Sequence, residues 1–208
     1  MAGVNQLMTG YYPKYERKEH SPVHPENVHM AFSLQEGALS YIRRTVDDLD
    51  FDAFDTFDVE NPHDNIHAAY GMSINGHYSS AGCQVVVGFP ACRNPRFTPE
   101  GGPWKIFKQR AYAEAQELFP YFLLEARNAA TLADAPAEPS QALLRFGSSG
   151  DLGRRLQEKL GGGVDGSFGE TTLRAVIELQ GHRLGIAEAD GVGGGRTASL
   201  LDIDWPTL

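Results

Sequence analysis

The stretch SSAGCQVVVG, residues 79–88, sets one of the chain's two cysteines between four small residues and a run of β-formers. Gln84 to Val87 reads as a strand, because consecutive β-branched residues suit a pleated, buried surface. Cys83 then stands where the chain enters that strand, with Ser79, Ser80, Ala81 and Gly82 leaving its approach open. A core thiol is one reading, since free cysteine is among the most buried residue types. A nucleophile is the other, and it needs a base, because a thiol of pKa about 8.5 is only a few per cent ionised at neutral pH.

Outward from the thiol, histidines supply that base. Six of the seven histidines precede Cys83. His63, Asp64 and His67 lie together in NPHDNIHAAYG, residues 61–71, and His77 lies in NGHY, just ahead of the thiol. Ile66 to Ala69 reads as a second strand. The interval from His67 to Cys83 allows a strand, a loop and a return, so His67 and His77 are both candidate bases. Gly82 lets the backbone bend beside the thiol, and the N–H groups of Gly82 and Cys83 are candidate oxyanion donors. Two other readings stay open. His63, Asp64, His67 and His77 are zinc-ligand types, although no HExxH spacing occurs, and Cys83 can pair with Cys92. His20, His24 and His29 sit in a Pro-rich early segment and read as surface or packing residues.

The rest of the chain places this site in an α+β protein of two parts. Met30, Leu34, Ala38, Tyr41 and Ile42 suit an amphipathic helix within residues 26–46. DDLDFDAFDTFDVE, residues 47–60, reads as a solvated acidic edge. Trp104 to Asn128 reads as a long helix that Pro120 kinks or splits. AATLADAPAEPSQ, residues 129–141, has linker composition and separates residues 1–128 from residues 142–208. In the second part, DGSFGETT from Asp165 and DGVGGGRT from Asp190 repeat Asp, Gly, Gly and Thr at the same offsets. Leu152, Leu156 and Leu160, and later Leu173, Val176, Ile177 and Gln180, recur at helical spacing. These predict about three short helices with Gly-rich corners.

Composition narrows the function. The chain is 41% hydrophobic and 22% charged, as ordinary globular proteins are. Its net charge of -9 disfavours nucleic acid and gives no pull toward an anionic membrane. No run approaches the roughly 20 apolar residues of a membrane span. The first twenty residues lack the pattern of a secretory signal, which predicts delivery by another route.

The C-terminal part resembles the peptidoglycan-binding domain 1 family. The residues that carry the likeness are Phe146-Gly147-Ser148-Ser149-Gly150, Leu156-Gln157, Asp165 to Gly169, Thr172, Ala175-Val176, Gln180, Asp190-Gly191 and Thr197. The resemblance implies a small three-helix domain that docks a catalytic partner on cell-wall glycopeptide. His67 followed by Ser80-Ala81-Gly82-Cys83 resembles the catalytic motif of the L,D-transpeptidase family, with Ala81 where that family has a second histidine. This resemblance implies a β-rich catalytic domain, Cys83 as nucleophile, His67 as base and a backbone role for Gly82. It implies no cofactor and peptidoglycan as partner. The family's substrate-contacting shell does not carry over, since Gln84 and Val85 replace its usual residues; Ser80, Gln84, His77 and Tyr70 are this chain's own candidate substrate contacts. A wall enzyme without a classical signal fits a phage lysis protein or an injected antibacterial effector, with a delivery or immunity protein as further partner. A zinc peptidase or amidase, or a non-catalytic wall binder, is the alternative.

Overall fold

The computed structural model describes residues 4–20, 23–46, 55–73, 80–124, 126 and 142–206. These residues form a mixed α+β protein. Its strands are β1 (Asn5–Leu7), β2 (Gly10–His20), β3 (His29–Leu34), β4 (Ser40–Arg44), β5 (Thr56–Glu60), β6 (Asn65–Ala68), β7 (Gln84–Val86) and β8 (Leu118–Leu123). Its helices are α1 (Gly102–Ala113), α2 (Asp151–Leu160), α3 (Glu170–Leu184) and α4 (Gly195–Leu200). The chain divides into two compact units. The first comprises Met1–Leu7, Tyr12–Leu49 and Thr56–Tyr121; the second comprises Met8–Tyr11, Asp50–Asp55 and Phe122–Leu208.

Two sheets organise the strands. One has the order β1-β4-β5 and is antiparallel; the other has the order β7-β6-β3-β2-β8. Within the second, β6 and β7 run parallel, while β3 is antiparallel to both its neighbours, β2 and β6. Helix α1 covers part of the first unit's core. Trp104 is fully buried, and the Phe32 ring meets Phe107, Tyr112 and Phe119 at 5.7, 5.2 and 5.2 Å. Tyr112 donates its hydroxyl to the Ala31 carbonyl at 2.7 Å. Arg17 donates to the carbonyls of Ala111 and Glu114. Both carbonyls lie at the C-terminal end of α1, where a cation suits the helix dipole.

Two expected helices are replaced. Residues 26–46 hold β3 and β4 instead of one amphipathic helix. Gly37, at φ 75°, turns the chain between them, and Ala38 N–H closes the turn on the Gln35 carbonyl at 3.0 Å. His29–Leu34 is buried at five of its six positions, as an inner strand covered on both faces must be. The helix expected over Trp104–Asn128 ends at Ala113, and Leu118–Leu123 alternates exposed and half-buried residues as edge strand β8. An edge strand tolerates Pro120, which has no N–H to give a ladder. Of the acidic run, Thr56–Glu60 is the sheet-edge strand β5; residues 47–54 and the linker read at 129–141 lie outside the described residues.

In the second unit the sequence repeat is a repeated piece of structure. Gln157 Nε2 donates to Asp165 Oδ1 (2.8 Å), Ser167 O (3.0 Å) and Thr172 Oγ1 (2.8 Å), and its Oε1 accepts Gly166 N–H (2.7 Å). Gln180 Nε2 donates to Asp190 Oδ1 (2.8 Å), Val192 O (3.2 Å) and Thr197 Oγ1 (3.0 Å), and its Oε1 accepts Gly191 N–H (2.9 Å). Each buried glutamine therefore ties a helix to the following Asp-Gly corner and to the Thr that begins the next helix. Gly166 and Gly191 sit at φ 80° and 66°, where a side chain is strained. Truncation would strand several buried polar groups. Gln157→Ala or Gln180→Ala in the full chain is expected to cost about 3 kcal/mol, measured by chemical denaturation. A cost under about 1 kcal/mol would show that the corners do not support the unit.

Candidate active site

The site begins where two parallel strands start side by side. In β6 and β7, Ile66 faces Gln84, His67 faces Val85 and Ala68 faces Val86. One step back, Asn65 lies beside Cys83, and Asn65 N–H donates to Cys83 Sγ at 3.2 Å. Side chains alternate faces along a strand, so Cys83 and His67 project from the same face. Strand spacing and rise put them about 8 Å apart at Cα. Among the described residues the thiol's hydrogen-bond partners do not include His67. Cys83 Sγ instead donates to Asp64 Oδ1 at 3.9 Å.

Register carries two more histidines to this face. His20 pairs with His29 across β2 and β3, and Ser33 pairs with Asn65 across β3 and β6. His20 and His67 stand on the strands flanking β3, and their rings stack at 4.4 Å with 13° between planes. That contact spans two strand spacings, and the small Ala31 on the strand between leaves room for both rings. The Asn65 amide fixes the cluster. Its Nδ2 donates to the His63 carbonyl (3.1 Å) and to His20 Nδ1 (3.1 Å), and Ser33 Oγ donates to its Oδ1. A carbonyl only accepts, so the amide cannot be reversed, and His20 Nδ1 must be unprotonated.

His67 is oriented the same way. Its Nδ1 lies 2.7 Å from the Ala68 carbonyl, so Nδ1 carries the hydrogen and Nε2 is the basic nitrogen. The ring is 2% exposed. Burial, and then the neighbouring His20, lower its pKa to about 4, against a smaller upward pull from the Ala68 carbonyl. Burial also lowers His20 and His29. Cys83 is raised, chiefly by burial, with Asn65 N–H opposing. The resting pair is a neutral thiol beside a neutral imidazole, not a thiolate–imidazolium pair.

The loop before β7 is held by side chains. Ser80 Oγ accepts the N–H groups of Cys83 (2.8 Å) and Gly82 (3.3 Å). Those donors, expected from the sequence to face an oxyanion, are turned onto the serine. Ser80 is thus placed as a brace for the loop, and Gln84 joins it by donating to the Gly82 carbonyl at 3.0 Å. Gly82 is required by close approach: a Cβ there would lie 2.6 and 2.7 Å from the Asp64 carboxylate oxygens. Tyr70, at φ 54°, donates its hydroxyl to the Asn27 carbonyl at 3.2 Å and touches His29 Nδ1 at 3.1 Å. His63, at φ 59°, stands at the other end of β6. Such strained backbone gathers at functional sites.

His77 lies outside the described residues. Cys83 and Cys92 are both free. Among the described residues no group of three or more His, Cys, Asp or Glu side chains is arranged to hold a metal ion. Sequence reasoning missed Ser33, Asn65 and the pair His20 and His29. Only long-range strand pairing brings these to the thiol, and no local pattern announces it. Comparison with protein-family models, curated proteins and solved structures finds no match to this chain.

Two outcomes follow from the electrostatics. A histidine kept neutral in the fold leaves the unfolded chain binding the extra proton below pH 6.5. Stability is therefore full above that pH and falls as pH drops toward 4. Denaturation across that range is expected to show a loss of about 3 kcal/mol from His67, with a shallower slope in His67→Leu; an unchanged slope would remove His67 from the titration. Alkylation of Cys83 by iodoacetamide is expected to show a midpoint above the ordinary thiol value of about 8.5. A midpoint below that value would mean the thiolate is already stabilised.

Proposed function

We propose that the chain is a cysteine-dependent enzyme acting on peptidoglycan stem peptides, of the L,D-transpeptidase or L,D-carboxypeptidase type. The observation that carries this reading is the shared sheet face. Cys83 stands at the mouth of β7, Asn65 N–H lies on its sulfur, and His67 stands on the adjacent strand with Nε2 as its basic nitrogen. The first unit is read as a divergent L,D-transpeptidase domain, and the second as a three-helix peptidoglycan-binding domain.

The chemistry runs through the chain's own side chains. Cys83 turns from Asp64 toward His67 as substrate fills the site; catalytic hydrogen bonds commonly tighten only then. His67 Nε2 takes the thiol proton as sulfur attacks a stem-peptide carbonyl. Asn65 N–H steadies the charge that forms on sulfur. The amine leaves and a thioester remains. A second amine or water attacks it, giving transfer or hydrolysis. The C-terminal unit tethers the enzyme to the wall and raises the local substrate concentration. The protein works at the wall or in the periplasm.

The test is mass spectrometry of purified peptidoglycan and of tetrapeptide muropeptides, with and without an added D-amino acid. Wild type is expected to give tripeptides, exchanged tetrapeptides or altered cross-links. Cys83→Ala should lower the rate by about 10³-fold or more, and His67→Ala by about 10²- to 10⁴-fold. Full activity in Cys83→Ala would sink the thiol mechanism. No product from wild type, with wall binding intact, would make the protein a binder only.

A further inference from the structure

We infer that Asp64 is a second catalytic group, the one that carries the proton of the amine on each side of the thioester; this rests on the reading of Cys83 as the nucleophile. Its carboxyl Oδ1 is the acceptor of the Cys83 thiol at 3.9 Å. An oxygen there can come within the about 2.6–3.2 Å that proton transfer needs of a nitrogen on the carbon that sulfur attacks. His67 has the thiol's proton to take, while its Nδ1–H is committed to the Ala68 carbonyl. An imidazolium at His67 could return that proton to the nitrogen, but Asp64, and not His67, is the group in hydrogen-bond contact with the thiol.

The carboxylate is held in place by the surrounding chain. It rests against the Cα of Gly82, so the residue before the nucleophile has no side chain where the carboxylate lies. Asn5 Nδ2 donates to Asp64 Oδ2 at 3.2 Å, and Asn5 N–H donates to the Ala81 carbonyl at 2.7 Å. One residue of β1 therefore fixes both the carboxylate and the loop that bears the thiol. The ionisable groups that face Asp64 are Cys83 at the start of β7, Arg44 on β4, Glu60 on β5 and Tyr15 on β2. Arg44 is bonded to Asp58 at 3.5 Å and to Glu60, so much of its charge is answered on β5. Burial is the largest influence and raises the carboxyl above its ordinary value. It therefore holds a proton at higher pH than an exposed aspartate would.

The proton balance closes over one turnover that begins with Asp64 in its protonated form and His67 neutral. The thiol proton passes to His67 as the S–C bond forms. Asp64 gives its proton to the amide nitrogen as the C–N bond breaks, leaving an amine, a thioester, an aspartate and an imidazolium. An incoming amine or water then attacks the thioester and gives one proton to Asp64. The C–S bond breaks, and the thiolate recovers its proton from His67.

The experiment compares two substrates of one acyl group. One is a peptidoglycan tetrapeptide, whose leaving amine needs a proton. The other is the corresponding tripeptide nitrophenyl ester, whose phenolate leaves without one. Asp64→Asn is expected to slow tetrapeptide turnover by about 10²-fold or more, the size of a general-acid contribution. It should leave release of nitrophenolate in the first turnover within a few-fold of wild type. It should also remove the carboxyl's limb from the pH profile of tetrapeptide turnover. Asp64→Glu should recover part of the rate. Equal losses on both substrates would make Asp64 structural, and no loss on either would make it a bystander; each overturns the inference. Cys83→Ala, run alongside, separates the two readings. If it cleaves both substrates like wild type, the nucleophile itself is wrong; if it is inactive, the Asp64→Asn comparison stands alone.

Discussion

The parallel pairing of β6 with β7 is the constraint on which the site depends. Parallel neighbours start at the same end of a sheet, so their first residues lie side by side. That is why Asn65, at the start of one strand, meets Cys83, at the threshold of the other. The strands are short, and their ladder alone could not hold the arrangement. Asn65 supplies the remainder. Both its amide hydrogens and its amide oxygen are engaged, by a carbonyl, an imidazole and a hydroxyl. A buried amide with its partners in place admits one orientation, and rigidity follows from that. Through it the loop at His63, strand β2 and strand β3 all act on the backbone position that touches the sulfur.

This arrangement also changes the meaning of the small residues around the thiol. Gly82 suggests a flexible bend when read alone. In the fold it is a surface against which a carboxylate lies. Ser80 does not face outward from the loop. It accepts two of the loop's own N–H groups and makes the bend stiff. A nucleophile on such a loop is presented by fixed geometry, at the cost of the backbone donors nearest to it.

Strands β6 and β7 were legible in the sequence, because short apolar and β-branched runs bounded by Gly and Asn have few other uses. The helices of the second unit were legible too. Leucine spacing and Gly-rich corners are local, and each corner closes on residues within one helix length. The interval between His67 and Cys83 correctly suggested neighbouring strands. Residues 26–46 misled because two strands joined through Gly37 happen to place apolar residues at helical intervals. Trp104 onward misled because the alternation in LFPYFL is brief and follows a true helix without a break. The triad of His20, His29 and Asn65 was illegible for a different reason. Its members come from three strands, and only register, set by the whole sheet, brings them into one patch.

The repeated glutamine corner has a consequence for how the second unit can vary. Gln157 reaches Asp165 over a separation of 8 residues, and Gln180 reaches Asp190 over 10. The bonds made at the two ends are nonetheless the same. What defines the corner is its fastening points, and the intervening chain serves only to span them. The turns at 161–164 and 185–189, which follow the ends of α2 and α3, are therefore natural sites for insertion. Each already differs from the other in length, and lengthening either leaves the fastening intact. A peptide tag or reporter loop placed there would be carried without asking the unit to refold around it.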